Sequence, residues 1–382
     1  MSKSSIITLN SQALKQNIHF LKKTIGNSTK ISSVVKANAY GHGIEQIVPM
    51  LEAEGIDHFS VFDFHEAKRV KKSLSKHATI MIMGWISSQN LENAIAMGFE
   101  FYVFNVERLQ LVATISRKNS IKAKIHLEVE TGMNRSGLNR EDLLECIKIL
   151  KQNPSNIEVV GFCTHLAGPE SIANHLRIQN QIKAYNSLLQ YLNMNEIYPK
   201  YRHMANSAAA IVYPKTRLDL VRIGIMQYGF WSSMETFIHY TRNKKDKSDP
   251  LQRILEWKSY IMNIKNIKVG EFVGYGTSYL AQKNMKVALI PIGYASGFSR
   301  SLSNKGRLII KGIRCGVVGL VNMNMVIADV SEVCDVEVND DVVIIGKQGE
   351  LEIKFSSFSN ISEKLNYEIL AHLPQKIDRL VI

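Results

Sequence analysis

Lys36, Tyr40, Arg135, His165, Asn206-Ser207, Arg222 and Gly224-Ile225 fall just after, or at the end of, short apolar runs rich in β-branched residues. Those residue types suit a definite chemistry. A lysine amine is the nucleophile that condenses with a carbonyl compound to form a Schiff base. A hydroxyl beside backbone N–H groups near a glycine, as at Ser207 and Gly224-Ile225, is a common way of holding a phosphate. An amine and a phosphate anchor at neighbouring strand ends are what pyridoxal 5′-phosphate requires.

Those residues meet only if the strands that carry them form one sheet. Strands are predicted near 31–35, 58–62, 79–83, 100–104, 122–129, 157–163, 199–204 and 218–222, with segments of helical period between them. In the first helix Ser11 can act as the cap, and Leu14, Ile18, Leu21 and Ile25 share one face. Eight strands alternating with helices predict an α/β fold, a TIM-like (β/α)8 barrel whose active site lies at the carboxyl ends of the strands. After Gly229 the rhythm changes. A polar, aromatic connection, 231–250, leads into apolar runs at 255–267, 286–292, 307–311, 315–320, 325–330 and 342–345, with turn residues between them. This predicts a barrel domain over 1–235 and a mostly β domain over 236–382, with a first strand within 1–9 that could join the β domain. A short helix is predicted near 358–365.

Composition narrows the class. The 382 residues carry a net charge of +13, are 45% hydrophobic and contain 8 prolines, which excludes collagen-like and disordered chains. The basic residues are dispersed and lack interleaved aromatics, so a nucleic-acid partner is not expected, and the run Arg242-Asn-Lys-Lys-Asp-Lys247 reads as a solvated loop. No apolar run reaches the ~18 residues of a membrane helix, and the N-terminus lacks the pattern of a signal peptide. A cytoplasmic location without membrane attachment is the expectation. Cys146, Cys163, Cys315 and Cys334 are widely spaced, so reduced thiols are expected and no metal site.

Val35-Lys-Ala-Asn-Ala-Tyr-Gly-His-Gly43 resembles the pyridoxal-phosphate attachment motif of the alanine racemase family. Further segments are similar to that family in order: Glu130-Thr-Gly-Met-Asn-Arg135, Thr164-His165, Asn206-Ser-Ala-Ala-Ala210, Asp219-Leu-Val-Arg-Ile-Gly224, Gly274-Tyr-Gly276, Gly293-Tyr-Ala-Ser-Gly297, Asn322-Met-Asn324 and Asn366-Tyr-Glu368. The resemblance implies that Lys36 holds the cofactor and acts as base on one face of the substrate α-carbon. It also implies that Tyr275, from the partner subunit of a homodimer, acts on the other face. Arg222 would face the pyridine nitrogen, His165 would orient Arg222, and Arg135 would lie near the cofactor's phenolic oxygen and the substrate carboxylate. Tyr40, Asn206, Ser207, Gly224, Ile225 and Tyr367 would complete the cofactor site. Tyr294 and Tyr367 would narrow the entrance, and the Met323 N–H would meet the substrate carboxylate.

The chain also departs from the family pattern. Glu128 stands where the family often has a carbamylated lysine, and a glutamate supplies a permanent anion without carbon dioxide. Asn134 and Ile223 replace a glycine and a proline, Ser296 an aspartate, and Asn322 and Asn324 a cysteine and an aspartate. The changes near the entrance bear on substrate choice more than on reaction type. Taken singly, Lys36 reads as a solvated strand-end lysine, His165 as a satisfied core histidine, Tyr275 as a packing residue in a turn and Glu128 as a barrel-interior carboxylate. The expected function is an alanine racemase that supplies D-alanine for peptidoglycan. The alternatives are a serine or broad-specificity racemase, a decarboxylase of the same architecture, which would pair the pyridine nitrogen with an acid rather than Arg222, and a non-catalytic pyridoxal-phosphate carrier.

Overall fold

The computed structural model describes residues 4–362 and 366–382. They form two compact units, one of Gln12–Ala39 with Ile47–Gln252, the other of Tyr40–Gln46 and Arg253–Ile382 with the N-terminal segment through Ser11.

The first unit is the barrel. Its eight parallel strands are β2 (Lys30–Val34), β3 (His58–Val61), β4 (Thr79–Ile82), β5 (Glu100–Val103), β6 (Ala123–Glu128), β7 (Ile157–Cys163), β8 (Tyr201–His203) and β9 (Leu220–Ile223), following β1 (Ser5–Leu9) of the other unit. They pair in the order β8-β7-β6-β5-β4-β3-β2-β9. A bridge between Asn206 and Arg222, with the Arg222 N–H donating to the Ala205 carbonyl at 3.0 Å, closes the ring. Strands β3, β5 and β9 are buried throughout, as expected of parallel strands covered on both faces. Along β6 and β7 the register slips between Ile125 and His126, so that Val160 forms a bulge and Gly161 lies opposite His126.

Helix Ser11–Ile25 buries Leu14, Ile18, Leu21 and Ile25, the stripe read from the sequence, and carries Lys22 and Lys23 in its last turn, where positive charge suits the helix dipole. The connection 231–250 packs with the barrel unit and contains a helix, Met234–Thr241, capped by Ser233 on the Thr236 N–H at 3.1 Å. Its Trp231 and Tyr240 rings lie 6.1 and 5.3 Å from Phe20 of the first helix, centroid to centroid. This aromatic cluster gives the segment a packing role that its polar composition hid. The fold accordingly divides after Gln252, although the boundary predicted from the sequence lies at 235.

The second unit contains β1 with β10 (Leu255–Tyr260), β11 (Asn263–Ile267), β12 (Met285–Ile290), β13 (Arg307–Ile310), β14 (Ile313–Gly316), β15 (Val326–Asp329), β16 (Asp341–Gln348), β17 (Leu351–Ile353) and β18 (Asp378–Val381). One sheet runs β14-β13-β16-β10-β1-β18 with β17 on β16, and a smaller one runs β11-β12-β15. β1 therefore belongs with the β strands, antiparallel to β10 and parallel to β18. The apolar run 255–267 is two strands separated at Ile261-Met262. β17 and β18 were not visible in the sequence because they are short and only partly covered. The helix expected near 358–365 is Phe355–Ser362, with Asn366–Ala371 following; residues 363–365 lie outside the described residues. Among the described residues no helix is long and apolar enough to cross a membrane.

Candidate active site

Lys36 directly follows Val35 at the carboxyl end of β2 and is partly buried. Burial pushes its amine below the ordinary lysine range; the charges of Arg135 and Arg222 act in the same direction, and Glu66 opposes them. The four residues after it, Ala37 to Tyr40, all have φ between 52° and 54°. A left-handed turn of L-residues costs roughly 1–2 kcal/mol per residue, so its surroundings must impose it. The Ala39 N–H donates to the Val35 carbonyl at 2.9 Å, the Asn38 N–H to Glu66 Oε1 at 3.2 Å, and Arg69 Nη2 to Asn38 Oδ1 at 2.6 Å. Glu66, Asn38 and Arg69 thus hold the lysine loop, a role the sequence did not disclose.

Arg222 is buried at the end of β9. Its Nη1 lies 2.6 Å from His203 Nδ1, and its Nη2 donates to the Thr164 carbonyl at 2.8 Å. The ring that receives its hydrogen bond is therefore on His203 rather than His165, the residue expected to orient it. The reason is topological: β8 and β9 adjoin where the barrel closes, and His203 ends β8. His165 stands within electrostatic reach of Arg222, Arg135 and Lys36. Its ring is pushed down to about 3, first by burial and then by those three cations.

Asn206 caps the helix Ser207–Val212 on the Ala209 N–H at 2.9 Å, and Ser207 Oγ accepts from the Gly224 N–H at 3.0 Å. Ser207, Gly224 and Ile225 are thus gathered at one buried point, as an anion site needs. Arg135 lies on an exposed loop that wraps around Glu130, whose carboxylate accepts from the N–H groups of Gly132, Asn134 and Arg135. Burial works against the Glu130 charge, but these bonds outweigh it and hold the carboxyl below its usual range. Asn134 has φ 56°, the left-handed conformation in which asparagine is the best tolerated substitute for glycine. Glu128 is buried, accepts from Ser136 Oγ at 3.0 Å, and is raised by burial against the opposing effects of that bond and of Arg222 and Arg135. Its hydrogen bond thus goes to Ser136, and Arg135 acts on it through charge. Gln181, also unforeseen, ties the two loops together by donating to Thr131 Oγ1 and to the His165 carbonyl.

In the β unit, Tyr40 and Tyr367 have ring centroids 6.1 Å apart, and burial followed by the Tyr367 charge raises the Tyr40 hydroxyl above its ordinary range. Tyr275 sits between Gly274 and Gly276, both at positive φ, and is 72% exposed. Tyr294 and Met323 are brought side by side because the Tyr294 N–H donates to the Asn322 carbonyl at 3.1 Å and the Ala295 N–H to the Met323 carbonyl at 2.9 Å. Gly293 permits this approach, since a Cβ there would collide with both carbonyls. A cavity of about 940 Å³ lies along the first helix and holds none of these residues; the chemistry is better located by the convergent charges.

Two family profiles match the chain: alanine racemase, N-terminal domain, over residues 9–231, and alanine racemase, C-terminal domain, over 254–381. The alanine racemase of Leptospira interrogans is 30% identical over 381 residues, covering 99% of this chain and 96% of that one. That of Desulforamulus reducens is 32% identical over 378 residues, 98% of each. Among solved structures, alanine racemase from Bacillus anthracis with bound L-Ala-P superposes with a TM-score of 0.91 at 26% identity, over 100% of this chain and 96% of that one. The enzyme from Bartonella henselae with covalently bound pyridoxal phosphate superposes at 0.85 with 26% identity over the full length of both. With both profiles matched and full-length relatives at this identity, the chain belongs to the alanine racemase family of isomerases.

Proposed function

We propose that the chain is a pyridoxal-phosphate-dependent alanine racemase, interconverting L- and D-alanine by two-base proton transfer and supplying D-alanine for peptidoglycan. The observation that carries this reading is the amine of Lys36 at a barrel strand end, lowered by burial and by two guanidinium groups, within the barrel unit that also gathers Ser207 and Gly224. That donor set fits the cofactor: an amine for its aldehyde, a hydroxyl and N–H groups for its phosphate, and in Arg222 a donor that cannot readily give up its proton to the ring nitrogen. The resemblance adds Tyr40, Asn206, Ile225 and Tyr367 to this set, and the Bartonella relative with covalently bound cofactor supports it.

When bound, the cofactor withdraws electrons and acidifies the substrate Cα–H. The protein's residues do the remainder. A lysine below its usual range is more often uncharged, so Lys36 Nζ can take or return the α-proton on one face. Racemisation needs a second group on the opposite face. Tyr275 and Met323 are 72% and 56% exposed on the β unit, which suits residues offered to a second copy, and we propose that each copy of a homodimer completes the other's site with them. Arg135 would pair with the substrate carboxylate, Tyr294 would restrict the pocket to small side chains, and Glu128 would steady Arg135 by its charge.

The test is α-proton exchange followed by NMR in deuterated water, with the cofactor-loaded protein and L-alanine, L-serine, L-lysine or L-glutamate offered separately. Exchange with accumulation of D-alanine alone is expected. Exchange mainly on serine or lysine would move the assignment to a broader racemase, and exchange on none of the four would overturn it.

A further inference from the structure

We propose that Glu100, His126 and His203 form a relay of fixed proton order that supplies the counter-charge of Arg222 from inside the barrel, making them positioning residues for that guanidinium. The part this plays in catalysis rests on the function proposed above; the relay itself rests on geometry alone.

Arg222 Nη1 lies 2.6 Å from His203 Nδ1, His203 Nε2 lies 2.8 Å from His126 Nδ1, and His126 Nε2 lies 2.8 Å from Glu100 Oε2. A guanidinium has donors and no acceptor, which settles every proton in the chain. His203 Nδ1 must accept, so its single proton sits on Nε2. His126 Nδ1 must then accept in turn, and its proton sits on Nε2 and goes to Glu100. Any extra proton on either ring would set two donors face to face. The result is a cation at one end, a carboxylate at the other and two uncharged rings between them.

The sequence makes room for this arrangement at some cost. β6 and β8 are separated by β7, so the bond from His126 to His203 crosses the barrel interior past Gly161. A Cβ on Gly161 would collide with the His126 ring. Barrel interiors are ordinarily filled by branched apolar side chains, and a buried ion pair is no default route to stability. Here Glu100, His126, His203 and Arg222 are all buried. The other titratable groups facing the relay are His58, whose Nε2 is 3.6 Å from Glu100 Oε2 and whose Nδ1 is 2.9 Å from Ser32 Oγ, together with Tyr102, Cys163, Glu128 and Lys30. The path thus gives Arg222 a single orientation without a carboxylate bonded directly to it.

The decisive measurement is ¹⁵N NMR of the histidine-labelled apoprotein between pH 6 and 8, with His126→Asn and His203→Asn to assign the signals. Both rings should be uncharged with the proton on Nε2; a charged ring, or a proton on Nδ1 of either one, would overturn the relay. Gly161→Ala should abolish the pattern, and because its Cβ also strains the fold, Glu100→Gln carries the functional arm. Glutamine keeps the shape and an acceptor oxygen but removes the charge. With pyridoxal phosphate bound, Glu100→Gln should lower the apparent pKa of the pH-dependent visible absorbance by about half a unit, the effect of losing one buried negative charge at the far end of the path. A purely structural Glu100 predicts an unchanged profile, and that result would overturn the counter-charge role. If the wild-type protein racemises no amino acid, the functional reading fails while the apoprotein spectrum still decides the relay.

Discussion

Lys36 and Tyr275 illustrate how differently two proposed bases can be prepared. The lysine is lowered in place by burial and neighbouring guanidinium groups, whereas the tyrosine stands exposed between two glycines. Replacing Tyr275 by Phe removes one hydroxyl and no contact that holds the fold. L-to-D turnover should fall by about 10²–10⁴-fold, the usual worth of a general acid or base, while the cofactor absorbance is kept. Circular dichroism of the product and a visible spectrum of the same sample check both halves, and retained turnover would remove Tyr275 from the mechanism. Glu128 makes a second case. A carboxyl group beside Arg135 and Arg222 that needs no carbon dioxide predicts activity that is indifferent to added bicarbonate and strongly reduced in Glu128→Ala. Bicarbonate dependence in the wild type would show that Glu128 does not serve as the anion.

At the scale of elements, the site is held by backbone that L-residues adopt reluctantly. The left-handed turn 37–40 and the loop around Glu130 are both imposed by carboxylates, Glu66 and Glu130, that collect backbone N–H groups. Asn134 tests this directly. Asn134→Gly should leave stability nearly unchanged, whereas Asn134→Val should cost about 1–2 kcal/mol, because a β-branched residue resists φ near 56°. Urea denaturation midpoints measure the difference; equal midpoints would mean that the loop relaxes without cost.

The whole molecule should be sensitive to acid, and the sign follows from its buried rings. His165 titrates at about 3 in the fold against 6.5 for a free ring, so between those values the unfolded chain binds the extra proton. Its neutral state favours folding fully above 6.5, and that advantage is lost as the pH falls toward 3. His58 and His203 are lowered as well, chiefly by burial. Glu100 adds to the trend: burial alone would raise it, yet the bond from His126 and the nearby His58 ring hold it well below 4.5, a contribution present above 4.5 and lost in stronger acid. The melting temperature should therefore drop steadily from pH 7.5 to pH 4, and a flat profile would contradict the neutral burial of these rings. The proposed exchange of Tyr275 between copies makes a separate prediction. Specific activity should fall when the loaded protein is diluted below its dimer dissociation constant, and mixing Lys36→Ala with Tyr275→Phe protein should restore up to about a quarter of wild-type activity by forming one intact site per mixed dimer; each site pairs Lys36 from one copy with Tyr275 from the other.

The strand positions of the barrel were legible in the sequence because each is a short apolar run bounded by turn residues, and the same ends named Lys36, Ser207, Arg222 and Gly224. Local order also carried the family resemblance. Hydrophobic period did not single out the helix Met234–Thr241, which is short and set in a largely polar connection, nor which domain would take up β1, since pairing with β10 and β18 joins positions far apart in the chain. The ring that binds Arg222 was hidden for the same reason. His203, His126, Glu100 and Gly161 lie on four different strands, and only closure of the barrel joins the three polar residues into one hydrogen-bonded path in the room that Gly161 leaves. Residue type and local spacing could be read from the sequence, whereas which groups face one another across the barrel was decided only by the tertiary structure.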